Sequence, residues 1–336
     1  MARAKIVGTG LYAPGDAIGN ADLGRLAAVE LDAAKLEEKL GIKARHIARL
    51  RGIDETTADF AEKAARAALA DAGVDAAEVG LFVVATDTPE YVSPATAILL
   101  QGRLQGGERE AGAFDVGASC ASFVTALDAA ARMVAADPGL RWTLVVGVYN
   151  MPAHLRPGDA FGWSIFADGA GAVVLARTGD DDRSGWVDGV FRADGTQWNF
   201  IGVYAGGTRR PVTREALEAG TWGLELLQRL PGDRNVKLWP PLVRRLLEKA
   251  GRKLGDVDHL FFTQINRSVI ETVMGELGLS MERTTCVMDR YGYTGSACVP
   301  MALATAVRER RVAKGGTVVL VASGAGLAVG ANLIVL

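Results

Sequence analysis

The sequence predicts an α/β protein built from two similar halves. Strands and helices alternate along the chain. The strands, such as "GLFVVAT" at 80–86 and "GTVVLVAS" at 316–323, are apolar throughout. The element order of the first half recurs in the second. Repeated βαβ units with fully apolar strands belong to central sheets covered by helices on both faces.

Taken in order, "AKIVGTGLYAP" (4–14) reads as a strand and turn, and "NADLGRLAAV" (20–29) as a helix with Asn20 as N-cap. "TTADFAEKAARAALADAGV" (56–74) is an amphipathic helix stopped by Gly73. A buried strand, "VGLFVVATDTP", leads to the helix "SPATAILLQGRLQ", with Pro94 in its first turn. "AFDVGASC" ends on Cys120 at the head of the next helix, and "RWTLVVGVYN" is a strand. "GWSIFADGAGAVVLART" reads as a strand, a Gly-rich turn and a strand. In the second half "DVDHLFFTQIN" is a strand and "NRSVIETVMGELGL" a helix. "TTCVMDRYGYTGSACVPMALATAVRERRV" is a strand, loop and helix, before the closing strands of "GGTVVLVASGAGLAVGANLIVL". The halves divide at 1–178 and 179–336. An irregular lid or tunnel segment is expected at about 180–240, rich in Gly, Arg and Trp.

Composition narrows the function. The 336 residues are 49% hydrophobic and 23% charged, with a net charge of −2. Interspersed charges of this balance give no footprint for nucleic acid. No apolar run reaches about 18 residues, so no membrane partner is expected. The start, "MARAKIVGTG", runs straight into a strand. Three cysteines without metal-ligand spacing point to a reducing, cytoplasmic setting, and the three scattered histidines to no metal site. "IVGTGLYAPG" lacks the third glycine and following helix of a dinucleotide site.

Cys120 lies between small residues in "FDVGASCASF", just before a helical pattern with Phe123, Leu127, Ala130 and Ala131 on one face. A helix N-terminus stabilises an anion, so a thiol there is expected to lose its proton more easily and act as a nucleophile. A buried structural cysteine is the alternative. Cys286, in a strand, and Cys298, at an apolar helix start, read as core residues.

Several stretches together resemble the thiolase superfamily, in its β-ketoacyl-ACP synthase III-like branch. They are "DVGASCASF" (115–123), "FADGAGAVVL" (166–175), "YAGGTRRP" (204–211), "LGIKARHIA" (40–48), "DRYGYTGSACVPMAL" (289–303) and "SGAGLAVGANLIVL" (323–336). The resemblance runs through nearly the whole chain. It implies a thiolase-like fold with layers α-β-α-β-α, and a Cys120 that takes an acyl group as a thioester from acyl-CoA or acyl carrier protein. It implies no bound cofactor, since these thioesters are substrates. A homodimer is expected from the resemblance, with a heterodimer with a homologue as the variant.

Two positions depart from the family pattern. Thr263 in "FTQIN" stands where the family has its histidine, and Tyr293 in "YGYTGSA" where it has its asparagine. Both hydroxyls can donate hydrogen bonds, but neither is a base at neutral pH. Lys35 and Lys39 stand where the family often has a tryptophan and an arginine for CoA. They either bind phosphate or are solvated helix lysines. Asn266 either supports the pocket or caps a helix, and Phe166 fits a pocket-lining aromatic. The backbone N–H groups near Cys120 and Gly326 would form the oxyanion hole. His154, in a loop, reads as a surface histidine, with replacement of the missing base as the alternative. His259, four residues before Thr263 on its strand, is too far away. The reading is an acyl-thioester-dependent acyltransferase or condensing enzyme of a specialised fatty-acid, polyketide or secondary-metabolite pathway. The alternative is a non-catalytic or weakly active partner subunit of a heterodimeric ketosynthase.

Overall fold

The computed structural model describes residues 2–336. One sheet has five strands in the order Ala4–Tyr12, Gly169–Arg177, Trp142–Tyr149, Leu81–Ala85 and Gly112–Val116. The last three run parallel, and the first two join them through antiparallel pairing. The second sheet has four strands in the order His259–Phe262, Thr317–Gly324, Gly326–Val335 and Gly185–Gln197. It also opens with a parallel pair and continues with two antiparallel ones. The duplication expected from element order is therefore present in the pairing itself.

Period-two alternation decides what each sheet face touches. Phe82 and Val84 point to the outer helices Thr57–Ala72 and Thr96–Gln105, whereas Leu81 and Val83 point inward. In the second sheet Leu260 and Phe262 meet the outer helices Arg234–Lys249 and Arg267–Glu276, and Phe261 points inward. Two helices, Ser122–Ala136 and Cys298–Arg308, fill the middle layer and bury side chains between the sheets. The order of layers is α-β-α-β-α. By length and composition the stretch Ser119–Ala136, which includes Asp128 and Arg132, would suffice to cross a membrane, but it is mostly buried and carries the central core helix. That helix meets the sheets closely. The helix Cys298–Arg308 approaches closer still: a Cβ at Gly171 would stand 2.6 Å from the Met301 backbone nitrogen.

Several local expectations are corrected. "GWSI" is helical, Ala160–Ile165, because the Asp159 carboxylate caps it by accepting from Gly162 N at 2.9 Å. Asn20 is inside its helix and Gly19 is the N-cap. The Asn20 amide is turned instead to Ile42 O at 2.9 Å. Pro94 precedes its helix, which starts at Thr96. "TTCV" forms only an isolated bridge, Leu260 with Thr284, before the short helix Met288–Tyr291. In the segment expected to be irregular, Gly185–Gln197 is a full strand of the second sheet. It is held by the chain's last strand, about 140 residues away in sequence. No local pattern reports such a pairing. Between Gln197 and Arg234 the chain makes the small pair Ile201–Val203 with Leu224–Leu226 and the short helix Arg214–Glu218.

Candidate active site

Cys120 stands on a tight turn between the strand Gly112–Val116 and the central helix Ser122–Ala136. The turn is wired internally. Ser122 Oγ accepts from Ala118 N at 2.8 Å and donates to Ser119 O at 2.6 Å, and Ala121 N donates to Ala118 O at 3.1 Å. Ser119 sits at φ +51°, a left-handed conformation that costs a non-glycine residue roughly 1–2 kcal/mol. The second half presses on this turn from behind. A Cβ at Gly324 would lie 2.6 Å from Ala118 O and 2.8 Å from Cys120 N, so only glycine fits there.

The thiol is buried, with 9% of its residue surface exposed. Burial pushes its pKa up to about 12, and the nearby Asp87 carboxylate adds to the rise. Hydrogen bonds from Tyr293, Ser119 and its own backbone pull the other way without overcoming this. The expectation of an easily ionised thiol at a helix N-terminus is thus corrected. Desolvation outweighs the stabilisation offered by the helix end. Deprotonation needs a base or the arrival of substrate.

Tyr293 meets the cysteine directly through its hydroxyl. Its ring stacks on Phe166, centroids 5.7 Å apart and planes at 29°. Phe166 also packs against Tyr149 at 5.9 Å and Phe161 at 6.2 Å. The backbones of the two stretches are tied as well: Tyr293 N donates to Ile165 O at 3.0 Å and Ala167 N to Tyr293 O at 3.0 Å. Burial holds the Tyr149 and Tyr293 hydroxyls well above their ordinary pKa, so both stay protonated donors.

Thr263 is buried, and its hydroxyl oxygen accepts from Ser323 N at 3.0 Å, fastening the end of the strand His259–Phe262 to its neighbour. Gly326 takes φ +121°, a region L side chains avoid. Asn266 is the N-cap of the helix Arg267–Glu276, its Oδ1 accepting from Ser268 N at 2.9 Å. Of its two readings, the geometry supplies the cap. Lys35 and Lys39 are exposed on the helix Ala33–Leu40. His259 is buried with Nε2 2.8 Å from Thr285 Oγ1. Its pKa is driven down to about 4 by burial and by Arg311 and Arg283. His154 is also lowered by burial. Cys298 is fully buried and Cys286 partly so, and burial raises both thiols.

Three residues beside the thiol carried no signal in the sequence: Ser119, Tyr149 and Asp87. Ser119 Oγ lies 3.8 Å from Cys120 Sγ. Asp87 follows the strand Leu81–Ala85 in a turn that reads as ordinary loop chemistry. Its neighbours are pinned. Thr88 N donates to Thr86 Oγ1 at 3.0 Å, Asn150 N to Thr88 Oγ1 at 2.8 Å, and Thr57 Oγ1 to Thr88 O at 2.7 Å.

The family models for 3-oxoacyl-[acyl-carrier-protein] synthase III and for its C-terminal part match residues 114–195 and 247–336. The β-ketoacyl-[acyl-carrier-protein] synthase III of Solibacter usitatus is 33% identical over 99% of this chain and 98% of its own. The chain belongs to the β-ketoacyl-ACP synthase III family. The synthase III of Rhodospirillum centenum is 37% identical, covering 99% of this chain and 98% of its own length. Among solved structures, the Aquifex aeolicus synthase III superposes with a TM-score of 0.85 at 29% identity, over 99% of this chain and 100% of that one. The priming β-ketosynthase of the R1128 polyketide pathway gives 0.86 at 29%, over 99% and 96%. Xanthomonas campestris OleA, at 21% identity and a TM-score of 0.82 over 99% and 98% of the two chains, shares the fold. Membership in the synthase III family makes this chain an acyltransferase of the thiolase fold. Within that frame, the cysteine turn and the Tyr293 loop come from opposite halves and meet at Sγ.

Proposed function

We propose that this protein transfers acyl groups through a covalent Cys120 thioester, taking them from acyl-CoA or an acyl carrier protein, in a specialised fatty-acid, polyketide or secondary-metabolite pathway. The observation that carries the reading is the buried Cys120 thiol on a turn that Gly324 backs, with the Tyr293 hydroxyl favouring its ionised form. A nucleophile this buried keeps water from a thioester formed on it. The Cys120 and Gly326 backbone N–H groups are assigned to the thioester oxygen, where one donor is worth about 10²–10³ in rate. Thr263 and Tyr293 line the acceptor side. With no histidine at position 263, plain transfer to an O–H or N–H nucleophile is favoured over decarboxylative condensation. Lys35 and Lys39 are assigned to the donor's phosphates, and a dimer is the assembly expected.

Intact mass after incubation with a panel of acyl-CoA and acyl-carrier-protein thioesters tests this, with Cys120→Ala as control. A gain lost in the variant supports the acyl-enzyme, and a malonyl chase then separates condensation from transfer. No gain with any donor favours the partner-subunit reading, which the loss of the family histidine and asparagine motivates.

A further inference from the structure

We propose that Asp87 is the proton acceptor for Cys120, reached through the Ser119 hydroxyl. The inference rests on the acyl-enzyme reading above and supplies the base that Thr263 and Tyr293 do not provide.

The geometry makes a short chain of groups. The Ser119 hydroxyl is directed at Cys120 Sγ, 3.8 Å from Oγ, and Ser119 is also the side chain whose hydroxyl favours the charged form of Asp87. One hydroxyl carries one proton. The relay requires this hydroxyl to rotate from the sulfur to an ionised Asp87, which leaves an Oγ lone pair facing the thiol. Asp87 Oδ1 is shut off from solvent and has no full hydrogen bond, so an acceptor position stays open on the carboxylate. An uncompensated buried carboxylate oxygen is costly, and such atoms mark sites with a use. The turn that carries Ser119 is fixed by its own hydrogen bonds, and the pinned Thr86 and Thr88 hold Asp87.

Proton affinities agree with the roles. Burial raises Asp87 to about 6, near the operating range of a general base, while Cys120 at about 12 leaves only about one thiol in 10⁵ ionised at pH 7. The titratable groups facing this pair are Tyr149, Tyr293 and Cys298, all raised, and the Arg234 guanidinium toward Cys120 and Tyr293. Among these groups, Asp87 is the one that changes charge between pH 5 and 8.

The step balances. As Sγ bonds the thioester carbonyl carbon, its proton passes to Ser119 Oγ and the Ser119 proton passes to Asp87. The tetrahedral intermediate then expels the donor's thiolate by breaking the old C–S bond. The thiolate recovers the proton from Asp87 by the same path, leaving acyl-Cys120, a free donor thiol and an ionised Asp87.

The test is single-turnover acylation of Cys120 by hexanoyl-CoA, read by intact mass from pH 5 to 9. The wild type should rise through an inflection near pH 6 and level off. Asp87→Asn and Ser119→Ala should each lose the inflection and fall by about 10²–10⁴, the usual worth of a general base. Asp87→Glu should keep the inflection. An Asp87→Asn variant that acylates at the wild-type rate, or faster, overturns the relay. Faster labelling is what Asp87 acting only as a repelling charge predicts. If the wild type takes no acyl group, the acyl-enzyme reading fails separately. Iodoacetamide alkylation of Cys120 over the same pH range then tests the relay, with the same ordering of variants expected. Should Asp87→Asn fail to fold, Ser119→Ala, which removes one hydroxyl, decides alone.

Discussion

The Tyr293 ring lies on Phe166 at 5.7 Å, and that stack aims the Tyr293 hydroxyl at the Cys120 thiol. The two aromatics come from opposite halves of the chain, so the stack also joins the halves at the site.

Tyr293→Phe keeps the stack and removes one donor. Acylation of Cys120 should slow by about 10–100-fold, with stability changed by about 1 kcal/mol. Stopped mass spectrometry and a urea titration read the two effects. Equal losses in rate and stability would assign the hydroxyl a structural role.

Gly324→Ala puts a methyl group where Ala118 O and Cys120 N already stand. The nucleophile turn must move, at a cost of about 1–3 kcal/mol. Acylation should fall by at least about 10²-fold, since small displacements of a nucleophile are expensive. A thermal melt beside the acylation rate checks this, and an unchanged rate would refute the packing argument.

Asp168 gives a pH prediction. Its Oδ2 accepts from Ala48 N at 2.8 Å, and burial raises the carboxyl from 3.8 to about 7. Between those values the folded state holds a proton that the unfolded state has lost. Stability therefore falls as pH rises through the window, by up to about 4 kcal/mol once pH exceeds 7. Asp168→Asn should gain on the wild type as pH goes from 5 to 8, in paired urea titrations. A gap independent of pH would mean the carboxyl ionises normally.

Lys35→Ala with Lys39→Ala removes two exposed cations. If they hold donor phosphates, KM for the acyl donor should rise about 2–5-fold at low salt while the rate at saturation stays fixed. The difference should vanish at high salt, because exposed charges are screened. No change in KM at low salt would leave them as solvated helix lysines.

Much of the frame is legible in the sequence itself. The apolar strands at 81–85 and 317–324 reported sheets covered on both faces, and the Cys120 turn reported a helix start. Other features escaped because they depend on distant partners. The strand Gly185–Gln197 exists through its pairing with Gly326–Val335. Asp87 looks like any turn acid until Ser119, brought from about 30 residues away, stands beside it. The helix end favours a thiolate at Cys120, and burial, which no local pattern reports, opposes it more strongly.

Gly171 admits the backbone of the helix Cys298–Arg308 into the first sheet's inner face. That helix belongs to the second half of the sequence, so each repeat completes itself with material from the other. The two halves are thus fitted like a mortise and its tenon. Neither copy can be excised, exchanged for a relative's or left to drift alone without opening a groove along its partner's core.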